Sequence, residues 1–124
     1  MSTIKANDIQ NASGGIPTVK GQALIPTAWV NFKGTGTVAI RGSENVSSVT
    51  DGGTGVYTAN FATALADANY VIHGSAGANA TNPSNYSLAA FPSSTTTSMI
   101  DIYNTNNQIT DASYIGVTVF GVQA

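Results

Sequence analysis

The chain has 124 residues and a mass of 12.6 kDa, lacks cysteine, and carries a net charge of −2 with only 8% charged residues. That length supports one hydrophobic core and excludes two. Without cysteine there is no disulfide framework, thiol chemistry or cysteine-based metal site. The four cations, Lys5, Lys20, Lys33 and Arg41, are scattered, so they form no patch to grip a phosphate backbone and nucleic acid is not expected as a partner. No apolar run reaches the length of a helical membrane span, and none is expected. The N-terminal residues show no basic-then-apolar order, so no signal peptide is expected either. Soluble domains average near a quarter charged residues. Polarity here must come from Thr, Ser, Asn and Gln, and so neutral a surface is poorly protected against self-association. The composition fits an extracellular-type β domain with much of its surface buried in an oligomer or larger assembly. Sequons at Asn45, Asn79 and Asn85 are expected by chance in a chain this rich in Asn, Ser and Thr.

Residues 1–27 read as an extended arm. Ile4, Ile9, Ile16, Val19, Leu24 and Ile25 are spaced irregularly, and Gly14, Gly15 and Pro17 disfavour a helix. Large aliphatics in such an arm are wasted unless something receives them, so these six residues are candidate anchors to neighbouring subunits or an attachment platform. Residues 28–124 read as one domain. Strands are expected at residues 29–32 and 37–41, with 42–45 as a polar turn. Residues 46–50 and 56–61 alternate apolar and polar side chains around Asp51-Gly52-Gly53-Thr54-Gly55, the strongest hairpin signal in the chain. Residues 61–68 have some helical propensity but are too few for a stable helix, and read as strand end plus turn.

Further strands are expected at 70–75, 87–91 (stopped by Pro92), 99–103 and 114–122, with 77–85 and 104–111 as polar loops. Residues 93–97 suit either a loop or an exposed edge. In 99–103, Ile100 and Ile102 share one face and Met99, Asp101 and Tyr103 the other. In the last strand Ile115, Val117 and Val119 face one way and Tyr114, Phe120 and Val122 the other. A strand apolar on both faces needs a second cover, and another copy of the chain is the simplest. About eight short strands with turn signals every 8–12 residues predict an all-β antiparallel β-sandwich with an extended N-terminal arm.

Catalysis needs converging acid, base or nucleophile groups. The chain has one histidine (His73), one glutamate (Glu44) and aspartates at 8, 51, 67, 101 and 111, with no two carboxylates at a motif spacing. Asp51 and Asp67 suit local turn hydrogen bonding, and Asp101 reads as a solvent-facing strand residue. No enzyme activity and no cofactor are expected. His73 is a candidate metal ligand only if a threefold axis brings three copies together. Tyr86, Tyr103 and Tyr114 flank the two Asn-rich loops, where they either complete the core or present rigid area to a ligand. Asn79, Asn82, Asn85, Tyr86, Tyr103, Asn106 and Asn107 are therefore the candidate receptor- or glycan-facing residues.

The run AWVNFKGTGTVAIRGSENVSSVTDGGTGVYTANFATALADANY, residues 28–70, resembles a domain common at the C-termini of bacteriophage tail-fibre and related virion proteins. Its usual form reads close to AWVNFNGTGTVAIR…NVSSITDNGTGDYTVNFTTALADANY. The match covers about a third of the chain, and the opening STIKANDIQNASGG is similar to the start of many phage fibre proteins. Lys33 and Val56 stand where the usual form has Asn and Asp. The resemblance implies a homotrimeric β-sandwich displayed on a virion assembled in the host cytoplasm. Trp29, Phe32, Gly34, Gly36, Gly55, Tyr57, Phe61 and Tyr70 would be its fold determinants. It implies no catalytic residues. The expected function is a tail-fibre-like adhesin that attaches to other virion proteins through residues 1–27 and contacts a host-surface glycan. The chain is shorter than a typical fibre, and the alternatives are a capsid decoration (cement) protein, a fitting that joins fibres to the tail, and a free lectin.

Overall fold

The computed structural model describes residues 2–78 and 86–124. Eight strands run in chain order: β1 (Ala28–Lys33), β2 (Ala39–Glu44), β3 (Val46–Gly53), β4 (Val56–Phe61), β5 (Val71–Gly77), β6 (Ser87–Pro92), β7 (Thr97–Tyr103) and β8 (Tyr114–Phe120). They form two antiparallel four-stranded sheets, ordered β2-β1-β8-β5 and β3-β4-β7-β6. The class follows from side-chain period. In β1, Ala28, Val30 and Phe32 are buried while Trp29, Asn31 and Lys33 are exposed, the alternation that puts one strand face in a core. In β7, Ser98, Ile100 and Ile102 are the buried set, as the spacing of the two isoleucines predicts. Ile115, Val117 and Val119 of β8 are likewise buried.

The inner faces meet in one core containing Phe32 and Val117 from the first sheet and Tyr57, Ile100 and Ile102 from the second. The rings of Phe32 and Tyr57 pack edge to face, 5.2 Å apart, across the two sheets. The expected hairpin is present: Val49 pairs with Ala59 and Thr50 with Thr58, and Asp51 Oδ1 accepts from Gly53 N at 3.0 Å within the turn. Asp67 does the same for Asn69 N at 2.8 Å. Residues 62–69 hold no helix. Leu65 fills the core instead, and Ala66 N donates to Val122 O at 2.7 Å.

Several boundaries differ from expectation. Residues 42–44 belong to β2, whose Gly42, Ser43 and Glu44 pair with Asn31, Val30 and Trp29; only Asn45 turns, with φ +56°. The expected polar turn was read from side chains that do suit turns, but an edge strand exposed to water tolerates the same side chains. Thr97 opens β7, which leaves 93–96 as loop, and β8 stops at Phe120 with Val122 outside it. Asp101 is half-buried rather than solvent-facing. It sits between Val56 and Ala89 of the neighbouring strands, with a buried Oδ1 that has no partner among the described residues.

Registers define two ends of the sandwich. Ser87 pairs with Tyr103 and Gly77 with Tyr114. Together these place the 104–113 loop at one end with the β1–β2 corner and the β3–β4 turn. The opposite end carries the entry to β1, the Asn45 turn, the 62–70 loop and the C-terminal residues. Residues 2–26 contribute no strand to either sheet. They contain a turn organised by Asn11, whose Oδ1 accepts from Ser13 N at 2.9 Å and Gly15 N at 2.8 Å. A tight Val19–Gln22 bridge follows, turning through Lys20 and Gly21 at positive φ.

Candidate functional site

The loop end is built around one tyrosine. Tyr57 projects inward from β4 and is fully buried. Its hydroxyl oxygen lies 2.7 Å from Asp111 Oδ1 and 2.8 Å from Gly34 O, with a single proton to donate. Asp111 Oδ1 also accepts from Gly55 N at 2.8 Å. One phenol and one carboxylate thereby tie the β1–β2 corner, the β3–β4 turn and the β7–β8 loop together. Burial, followed by the hydrogen bond to Asp111, pushes the Tyr57 phenol well above its ordinary value of 10.0. Gly34 has to be glycine here, because a Cβ on it would collide with the Tyr57 hydroxyl.

On this platform the 104–108 turn is internally satisfied. Asn104 Oδ1 accepts from Asn106 N at 2.9 Å and Gln108 N at 3.0 Å, and Asn104 N donates to Gln108 O at 2.9 Å. Asn107 takes a left-handed φ of +59°. The side chains of Asn106 and Asn107 are exposed at the tip, where both amides can reach a ligand. Tyr103 is half-buried and bridges to Ile109, while Tyr86 is half-buried, bridges to Ala76 and packs against the core. Tyr86 therefore lies nearer to core completion than to an exposed recognition surface, while Tyr103 shares the outward face of β7 with Met99 and Asp101. Asn79, Asn82 and Asn85 lie outside the described residues. Tyr114 is exposed and carries the Arg41 guanidinium 4.1 Å from its ring centroid, with Arg41 Nη2 donating to Ser113 O at 2.7 Å.

His73 is on the outward face of β5, opposite Thr118 of β8. Among the described residues no three His, Asp or Glu side chains gather within one chain. Sequence reading overlooked Trp29 as a candidate. The signal was its alternation: Val30 and Phe32 point inward, so Trp29 and Asn31 must point outward.

The opposite end holds the arm. Ile16 N donates to Gln123 Oε1 at 3.3 Å, and Ile16, Pro17 and Ile25 line a groove of about 240 Å³ against Gly121, Val122 and Gln123. The other aliphatics stay in water: Ile4 is 90% exposed, and Ile9, Val19 and Leu24 are each at least half exposed. Tyr70 closes the core at this end. Its hydroxyl lies 2.7 Å from Thr97 O and 3.0 Å from Ser94 O, and burial raises its pKa. Asn45 is the hub between the sheets. Its Nδ2 donates to Thr63 O at 3.0 Å and Thr27 O at 3.2 Å, and its Oδ1 accepts from Thr63 N at 2.6 Å. Both amide protons are engaged, which leaves the sequon at Asn45 no free nitrogen for a glycan.

Comparison with protein-family models, with curated proteins and with solved structures returned no match.

Proposed function

We propose that this chain is a non-enzymatic structural protein of a bacteriophage virion, a tail-fibre-like homotrimeric adhesin. Residues 1–27 attach it to other virion proteins, and the loops after Tyr70 meet a host-surface glycan. One observation carries the reading. The arm with its exposed aliphatics and the 104–108 tip lie at opposite ends of strands of six to eight residues, roughly 20 Å apart. A chain that grips a particle at one end and presents amides at the other has the polarity an adhesin needs. The sequence likeness of residues 28–70 to fibre domains supports the same assignment.

Self-association would use the arm together with the strip of Val71, Phe120 and Val122 beside it, all exposed on one chain. Native mass spectrometry should give a trimer, and a monomer at micromolar concentration would contradict this arrangement. A second reading, a decoration protein that stabilises the capsid, is favoured by the same exposed arm aliphatics, which could clamp a shell. Quantitative mass spectrometry of purified particles separates the two. A handful of trimers per virion supports a tail fitting or fibre, whereas hundreds would overturn the adhesin in favour of the capsid.

A further inference from the structure

The outward face of the β2-β1-β8-β5 sheet carries two cross-strand rows at its centre. In the first, Trp29 of β1 pairs with Thr118 of β8, which pairs with His73 of β5. In the second, Asn31 pairs with Gly116, and Gly116 with Ser75. Neighbouring strands are about 4.8 Å apart, so each row spans about 10 Å. A Cβ built on Gly116 would meet nothing within 4 Å. The second row is therefore a gap with Asn31 and Ser75 as walls. It opens into a depression of about 380 Å³ lined also by Trp29, His73 and Thr118, within the size range of small-ligand sites.

Trp29 gives the depression its chemistry. It is 40% exposed, and its indole rests on Gly42 of β2, where a Cβ would lie 3.2 Å from Cη2. A rigid aromatic surface left in water is a ready contact for an apolar ligand face. The rest of the depression is lined by an amide, two hydroxyls and an imidazole, and no Lys, Arg, Asp or Glu lines it. Asn31 Oδ1 accepts from Arg41 Nη1 at 3.4 Å, which leaves the Asn31 Nδ2 protons for a ligand.

A set of donors and acceptors without carboxylate, ammonium or guanidinium groups, edged by one indole, matches a ligand that is apolar on one face and rimmed with hydroxyls. A neutral pyranose is such a molecule: its C–H bonds pack on the indole while its hydroxyls exchange hydrogen bonds with the polar groups. We propose that this depression is a carbohydrate subsite for a neutral pyranose, distinct from the loop end and independent of the virion reading. The exposed apolar strip of Val71 and Phe120 lies at the arm end of the same face, about 7 Å beyond the His73–Thr118 row.

Trp29 is the only tryptophan in the chain, and its fluorescence reports this site alone. Titration of the full chain with methyl β-galactoside, methyl β-glucoside and methyl α-mannoside should give a saturable emission change with at least one of them. A Kd of about 1 mM is expected for a ligand of that size. Gly116→Val fills the gap with a side chain that strands favour. It should keep the wild-type unfolding midpoint and weaken binding by at least about tenfold. Ser75→Ala, a surface change read by calorimetry, should weaken binding by about threefold. The Asn106→Ala/Asn107→Ala double variant removes the two loop-end amides and tests that end as the alternative location.

The proposal is overturned if none of the three glycosides gives a saturable change. It is also overturned if both Gly116→Val and Ser75→Ala bind normally, or if binding is lost only in the double variant, which would move the sugar to the loop end. None of these outcomes alters the copy number per virion, which tests the adhesin reading separately.

Discussion

The Tyr57 hydroxyl reaches Asp111 Oδ1 at 2.7 Å, joining residues 54 positions apart in the chain. Three loops depend on that contact, since Gly34 and Gly55 share its two oxygens. Tyr57→Phe should therefore destabilise the sandwich by about 1–3 kcal/mol, because it leaves buried acceptors without their donor. Asp111→Ala should cost about 2 kcal/mol through the lost Tyr57 and Gly55 contacts. Urea unfolding followed by near-ultraviolet circular dichroism would measure both. A double variant that costs less than the sum of the singles would show the coupling.

The same burial sets an alkaline limit. Tyr57 has a raised pKa in the folded chain, and Tyr70 is raised as well. Below the ordinary phenol value both states hold the proton and this term does not vary with pH. Above about pH 10 the unfolded chain releases protons that the folded chain retains, so stability falls as pH rises. Urea midpoints measured from pH 8 to pH 11 should decline at the alkaline end, and less steeply in Tyr57→Phe.

Asn45 combines a left-handed backbone with three side-chain hydrogen bonds. Asn45→Gly keeps the conformation and loses the bonds, whereas Asn45→Ala loses both. Asn45→Ala should be destabilising by about 2–4 kcal/mol, and Asn45→Gly by about 1 kcal/mol less. Equal costs would mean that the turn is indifferent to φ.

Two glycines at positive φ should respond differently to alanine. At Gly55, with φ +70°, a Cβ would lie 2.6 Å from Thr110 O. At Gly36, with φ +63°, it would meet nothing within 4 Å. Gly36→Ala should cost about 1–2 kcal/mol from the backbone alone. Gly55→Ala should exceed that by at least about 1 kcal/mol, because the loop must also move. Thermal midpoints would rank them.

Among the described residues, 2–25 touch the sandwich through few hydrogen bonds, of which Ile16 N to Gln123 Oε1 is one. The entry to β1 is secured instead by Thr27, whose N and Oγ1 lie 2.8 Å and 3.1 Å from Val119 O. Deleting residues 1–25 should leave a cooperatively folding domain, with a stability change within about 1 kcal/mol. Loss of the cooperative transition would show that the arm belongs to the core.

Local chemistry made much of the fold readable. The alternation in 99–103 and the Asp-Gly-Gly-Thr-Gly turn act over a few residues, and they identify β7 and the β3–β4 hairpin without knowledge of the rest. The pairing of β1 with β8 and β4 with β7 joins residues far apart in sequence, and no local pattern encodes it. Asp111 looked like one of several loop carboxylates because its partner, Tyr57, is visible only once β4 and the last loop meet. Gly42 read as a turn for the same reason: its real constraint is the Trp29 indole on the next strand. The candidate loop residues were only partly legible. Asn106 and Asn107 reach the surface, while Tyr86 and Tyr103 are half-buried.

The hairpin's exposed face shows how so neutral a chain ties its surface together. Asn60 Nδ2 lies 3.0 Å from both Ser48 Oγ and Thr50 Oγ1, and Ser47 Oγ donates to Asn60 O at 3.1 Å. This lattice of amides and hydroxyls does the work that ion pairs do on most surfaces. Dissolved ions shield charges from one another within a few ångströms at high concentration, but they have little to shield here. The unfolding midpoint of so weakly charged a fold should therefore change little between low and high salt.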